Sequence, residues 1–485
     1  MEFILGILSK NVAGIVLYVL IAFCCVLAIY RDGSSFKEMF IWIWKKKNFI
    51  LKWYYSKKRE KYDRELSSSK YIKWQLQVMK AIYMHLIQEL NEEGIDINLT
   101  SLDISGKKQE YEAVTIKVKE QSYPFNGVCN KDNLTIREDI SKPVYTYDDL
   151  SNKAQKMVKR YYRMIKYSIR YPDRLGYMLD EIIVSKEDGA ASVSAYSGCY
   201  RDNIVQSHIL EYELFELYKK KHIRNCNDIL EKLEIRNKLH TEFKIHDSAE
   251  SRILLSGKYR SSLLGVQIMV FVKNVNGSFD ALRIRRSTDV AAKAGYLQFI
   301  PSGGFEAIGD GKDFDSQWDN YSIPKSLFRE LLEECFGMDE DDKKFSSNTK
   351  SPDRLYFNAH IQEILKMIQR EPQHARFEFL GSTMSLVGLR HELSFILVID
   401  KPDFASQLIG NYESKAAIHL VDILRLEDGN FWMHKKSVDK RHNETDEGQM
   451  NDLEMLNCTS AGLFELARKS DLYQKILSEA REAQR

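Results

Sequence analysis

The sequence predicts an α/β chain in three parts: an N-terminal single transmembrane helix over residues 1–30, a mostly helical connecting region over 31–174, and an α/β domain with insertions over 175–485. Three observations predict it. Val12 to Tyr30 reads VAGIVLYVLIAFCCVLAIY, without a charge, and is long enough to cross a bilayer core as a helix. From Tyr71 to Leu90, the apolar residues Ile72, Leu76, Met79, Tyr83, Leu86 and Leu90 recur at helical spacing until Gly94. From Leu263 the period becomes two: Val266, Ile268, Val270 and Val272 alternate, and the turn pair Asn276-Gly277 leads to a second strand at Asp280–Arg285.

A cleaved signal peptide competes with the anchor, but it carries its positive charge first and has a shorter apolar core. Here Lys10 is the only base before the run and Glu2 balances it, whereas Arg31, Lys37, Lys45, Lys46 and Lys47 follow. Positive charge stays on the cytoplasmic side, so a single-pass protein with a cytoplasmic body is expected. The basic aromatic stretch Phe40 to Lys58 suits a headgroup region, and equally a plain basic linker.

With 71 basic and 69 acidic residues the charges nearly cancel, which excludes a nucleic-acid coat over the whole surface but not a local basic pocket. Cys24, Cys25, Cys129, Cys199, Cys226, Cys335 and Cys458 form no CxxC pair, so neither a disulfide frame nor a zinc site is expected. The histidines are dispersed; His391 beside Glu392 is the one near a functional segment.

Further elements follow from periodicity and turn residues. A strand carries Val114, Ile116 and Val118, and a helix runs from Thr146 to Arg170, its second half holding Lys156, Lys159, Arg160, Arg163, Lys166 and Arg170. That run reads as a solvated face or as a surface for lipid or a partner. Strands are expected at 181–185, 191–197, 376–380 and 392–399, a long helix at 208–239 and a terminal helix at 461–483.

The segment that carries chemistry runs from Tyr296 to Met338: YLQFIPSGGFEAIGD, an acidic and polar insert, then IPKSLFRELLEECFGM. Glu330, Glu333 and Glu334 stand at i, i+3 and i+4, which places three carboxylates on one side of a helix. Such carboxylates repel unless a cation lies between them, and oxygen ligands suit Mg²⁺ or Mn²⁺ bridging to phosphate. Gly303-Gly304 lets backbone approach metal and phosphate without a Cβ, and Arg329 can orient a carboxylate as a fork. The same helix is also a serviceable amphipathic one, with Leu327, Phe328, Leu331, Leu332 and Cys335 toward a core.

This segment resembles the Nudix box, G-x5-E-x7-R-E-U-x-E-E-x-G-U with U aliphatic. Gly304 matches the opening glycine, Asp310 stands at the first glutamate, and Arg329, Glu330, Leu331, Glu333 and Glu334 reproduce the core. The resemblance implies a Nudix-type α/β/α sandwich. It makes Glu330, Glu333, Glu334 and Gly304 the metal ligands, with Glu333 and Glu334 catalytic in an active pyrophosphohydrolase. Gly303, Gly304, Arg329 and Arg286 would face the nucleotide; Arg283, Arg285 and Arg286, which end the preceding strand, read equally as ordinary strand arginines. A fourth acid from a later element would be Glu392 or Glu413. Three departures touch loop geometry: the expanded spacer between Asp310 and Arg329, aspartate at the first glutamate, and Phe336 at the box glycine with Gly337 one place late.

A transmembrane segment joined to an insert-bearing Nudix domain, with the stretch IIVSKEDGAASVSAYSGCYRDN from Ile182 to Asn203, is similar to the SMODS-associated NUDIX family of CBASS antiphage systems. That resemblance implies an inner-membrane effector that binds a cyclic nucleotide made by a partner cyclase, assembles as a homo-oligomer and disrupts the membrane, with no nucleic-acid polymer as partner. The alternative is a tethered Mg²⁺-dependent hydrolase of nucleoside diphosphate derivatives.

Overall fold

The computed structural model describes residues 35–104, 107–137, 150–167, 174–220, 228–247, 249–273, 275, 277, 279–285, 296–307, 314–336, 358–404, 421–427, 430–434 and 456–483. Helix α1 (Ser35–Leu66) holds the basic aromatic stretch and is followed at once by α2 (Ser69–Glu92). Ser68 separates the two: its backbone is extended, and its hydroxyl accepts the Tyr71 N–H at the start of α2. The expected crossing at Val12–Tyr30 lies outside the described residues. Among the described residues no helix is long and apolar enough to cross a membrane. This corrects the anchored fold class and the single-pass inner-membrane localisation drawn from it: α1, the longest described helix, carries lysines at 45–47, 52, 57, 58 and 61, too many charges for a bilayer core.

The chain divides into two compact units, Met1–Tyr62 with Arg163–Ser168, and Asp63–Tyr162 with Ile169–Arg485. In the first, Tyr55 stacks on Tyr167 with ring centroids 5.7 Å apart.

The second unit is organised by a 10-stranded sheet. Its strands are β1 (Ile97–Ile104), β2 (Lys107–Ser122), β6 (Gly265–Lys273), β7 (Phe279–Arg285), β8 (Leu297–Phe299), β9 (Ser302–Gly304), β10 (Ala375–Ser385), β11 (Arg390–Ile399), β12 (Val421–Glu427) and β13 (Asn430–His434). They run in the order β1-β2-β10-β11-β6-β7-β12-β13, with β8 on β7 and β9 on β6. β11 and β6 are parallel; the other pairs are antiparallel. A smaller sheet, β3-β5-β4, combines β3 (Leu134–Thr135), β4 (Leu175–Val184) and β5 (Ala191–Cys199). The large sheet therefore begins before Leu175, because the strand bearing Val114, Ile116 and Val118 pairs with β10.

The expected hairpin of β6 and β7 forms, with Gly277 at φ 84° and Phe271 opposite Ala281; Asn276 lies outside the described residues. β6 is buried on both faces from Gly265 to Val272, because strands flank it and helices cover it. On one face Ile396, Val398, Met269 and Phe271 pack with Leu463, Phe464 and Ile476. On the other, Phe395 meets Phe125 and Phe377, and Phe377 meets Phe328.

Two expected helices are each divided. The 208–239 helix becomes a short helix at Tyr200–Asn203, a wide π turn at Ile204–His208, α4 (Ile209–Tyr218), a 3-10 turn at Leu230–Lys232 and α5 (Glu234–His246). Leu233, at φ −104° and ψ 81°, breaks the last junction. The buried Glu213 carboxylate accepts the Ile235 and Arg236 N–H groups at 2.7 and 3.2 Å, capping α5 from α4. The terminal helix splits at Ser470, whose hydroxyl accepts the Tyr473 N–H at 3.1 Å.

At Gly381 the register of β10 shifts against both neighbours, the signature of a bulge. Its φ is 137°, and a Cβ there would stand 2.1 Å from the Ile116 carbonyl oxygen. Gly381→Ala should cost about 1–3 kcal/mol and lower the urea midpoint; an unchanged midpoint would show that the bulge relaxes freely.

Candidate functional site

Strand β9 is three residues long and edges β6, with Ser302 opposite Gln267, Gly303 opposite Val266 and Gly304 opposite Gly265. The helix that follows the insert is α7; it spans Ile323–Cys335 and follows α6 (Phe314–Asn320). The remaining described helices are α3 (Asn152–Ile165) and α8 (Ala359–Arg370), with α9 (Cys458–Arg468) and α10 (Asp471–Ala483) at the C-terminal end. α7 starts where Ser322 caps the Lys325 N–H, with Pro324 in the first turn. Leu327, Phe328, Leu331, Leu332 and Cys335 are buried, as the amphipathic pattern requires.

That packing presses the carboxylate side of α7 onto β9. A Cβ on Gly303 would stand 2.1 Å from the Glu330 carboxyl carbon, so any other residue here would push the Glu330 carboxylate aside. Glu334 accepts the Ser302 backbone N–H at 2.8 Å. Arg329, 6% exposed, lies in the centre. It donates to the Gly304 carbonyl at 3.1 Å and to Glu330, and stands 3.8 Å from Glu333 and 4.0 Å from Glu306. Glu306 also pairs with Arg174 at 2.9 Å.

The structure thus brings together Gly303, Gly304, Arg329, Glu330, Glu333 and Glu334. The expected metal convergence takes another form: among the described residues no three acidic, histidine or cysteine groups stand ready to hold a metal ion. The positive charge at the centre is the guanidinium, which touches Gly304 oxygen, Glu330 and Glu333. The donors themselves suit a hard divalent cation, being oxygen throughout and set against a glycine cradle.

Glu392 stands elsewhere. It pairs with Gly265, whose Cβ would meet the Glu392 side chain at 2.6 Å. It shares a sheet face with Ser394 and Ile396, the face covered by α9 and α10, opposite to α7. Neighbouring His391 is fully buried with Nδ1 3.1 Å from Ser382 Oγ; burial pushes its pKa down to about 3, so it stays neutral and structural. Asp310, Arg286, Gly337 and Glu413 lie outside the described residues. Arg283 is buried in β7.

The expanded spacer is partly folded. Tyr177 of β4 donates its hydroxyl to the Gln317 carbonyl of α6 at 2.6 Å, and Tyr321 donates to the Val193 carbonyl of β5 at 3.2 Å. Their rings close on Phe305. Burial drives both phenol pKa values up and pushes Cys129 up to about 12, so this cluster is uncharged mortar between insert and small sheet. Phe336 fills the box's glycine position at an ordinary φ of −113° and stacks on His360 at 4.2 Å; no left-handed residue is needed there.

Glu306 and Arg174 were not singled out from the sequence. Glu306 had a signal, lying two residues beyond Gly304; Arg174 had none, since a separate strand delivers it. The chain matches no family model and no curated protein.

Replacing Arg329 with methionine leaves Glu330 and Glu333 without their shared guanidinium. Arg329→Met, unfolded by urea in EDTA, should lose about 3 kcal/mol. Unchanged stability would mean that the ion pairs are screened by solvent.

Proposed function

We propose that the β9–α7 site binds a nucleotide phosphate through a divalent cation, and that the chain senses a cyclic nucleotide in CBASS-type antiphage signalling. One observation carries the first part: the Gly304 carbonyl, Glu330 and Glu333 converge on the Arg329 guanidinium, and Glu334 holds the Ser302 N–H of the same glycine strand. Mg²⁺ or Mn²⁺ would be held by Glu330, Glu333, Glu334 and the Gly304 carbonyl, and would supply the charge that bridges to phosphate oxygens. Arg329 would then turn toward Glu306, already 4.0 Å away, or toward the phosphate itself. The cyclic character of the nucleotide rests on the resemblance to the SMODS-associated NUDIX family.

Hydrolysis of a linear nucleoside diphosphate derivative is the second reading. Glu333 and Glu334 favour it, being half-exposed where Glu330 is buried, and so able to reach a water molecule.

Thermal shift and product chromatography on the full chain with Mg²⁺, across cyclic di- and trinucleotides and linear diphosphate compounds, separate the two. The sensor reading expects one cyclic nucleotide to raise the melting midpoint and be recovered intact, with Glu330→Gln abolishing the shift. Turnover of a linear compound without any response to cyclic nucleotides would replace it with the hydrolase. Silence across the panel would contradict both.

A further inference from the structure

Away from the β9–α7 site, a cleft of about 660 Å³ opens among α3, the end of α4, the Leu230–Lys232 turn and α5. Lys153, Lys220, Lys232 and Lys238 reach it, each from a different one of these elements. Two carboxylates share the lining, Glu231 and Glu234. Glu234 is engaged at the start of α3, where it accepts the Ser151 N–H at 2.6 Å and the Ser151 hydroxyl at 2.7 Å. Lys238 pairs with Glu242 at 2.9 Å. Lys153, Lys220 and Lys232 have no ion-pair partner among the described residues, and all three are exposed.

In a chain whose 71 basic and 69 acidic residues nearly cancel, the described lining of four lysines against two glutamates leaves a modest local excess of positive charge. The mutual repulsion of the lysines is relieved by an anion. The cleft has the volume of a small-molecule site. Asn237 adds a side-chain amide that has no hydrogen-bond partner among the described residues, and Leu217 gives an apolar patch. Lysines act on phosphate as point charges and set no planar geometry.

We infer that this cleft binds a phosphorylated small molecule carrying two or more negative charges, with its phosphates on Lys153, Lys220 and Lys232. The site shares no residue with β9–α7 and needs no divalent cation, because ammonium groups supply the charge.

The test is calorimetric titration of the full chain with tripolyphosphate in EDTA, which disables metal-dependent binding elsewhere. Binding should weaken as salt is raised. The double variant Lys153→Glu/Lys232→Glu should bind at least about tenfold more weakly. Both positions are exposed, and an unchanged melting curve would show that the variant is folded. Glu333→Gln should bind as the wild type does. Absence of binding by the wild type, unchanged binding by the double variant, or loss confined to Glu333→Gln would each overturn the inference. A single-stranded oligonucleotide that binds and is not displaced by tripolyphosphate would overturn it in favour of a polymer.

Discussion

The contact between Gly303 and Glu330 is the constraint on which the site depends. A strand and a helix approach so closely that the carboxyl group of one occupies the space of a side chain on the other. That approach follows from the apolar face of α7, whose Leu327, Phe328 and Leu331 are drawn into the core and set the adjoining flank, with Glu330 and Glu334, against β9. Burying Glu330 there costs desolvation, which Arg329 offsets by charge and by hydrogen bonding to both the carboxylate and the Gly304 carbonyl. Glu334 then closes the arrangement on the Ser302 N–H. A short edge strand, a glycine and an alternating set of charges thereby act as one unit.

The rest of the fold serves to hold that unit still. β9 is only three residues long, but it edges β6, which is paired with β11 and β7 and buried on both faces. The small sheet supports the loop from the other direction, through Arg174 on Glu306 and through the Tyr177–Phe305–Tyr321 cluster that seats the insert. The insert is therefore not an interruption that frees the loop. Its described part forms a helix and two tyrosine hydrogen bonds between the glycine strand and α7.

Much of this was legible in local sequence. Helix α2, the hairpin of β6 and β7, and the strands β10 and β11 follow from periodicity and from turn residues, which act over a few positions. The grouping of Gly303, Gly304, Arg329 and the three glutamates was legible too, because one helix face and one glycine pair fix it. What was not legible depends on chain segments far apart. The row that sets Glu392 beside Gly265 arises from a parallel strand pairing, and its face from alternation counted along β11. Arg174 reaches Glu306 only because β4 lies beside the loop. The breaks in the two long helices rest on single residues, Leu233 and Ser470, where backbone geometry and a hydroxyl cap outweigh a continuous apolar pattern. The apolar run at the N-terminus spoke for a membrane helix, while the described helix nearest to it is too rich in lysine to cross one.

On the proposed function, the glycine cradle and the carboxylates of α7 would together hold one divalent cation. Electron paramagnetic resonance of Mn²⁺ titrated into the full chain reads it directly, since bound and free Mn²⁺ differ in signal. The account predicts one saturable site in the wild type that is lost in Gly303→Ala, where the new methyl group displaces the Glu330 carboxylate. Wild-type protein that leaves all Mn²⁺ free, or a Gly303→Ala variant that binds it as the wild type does, would contradict it.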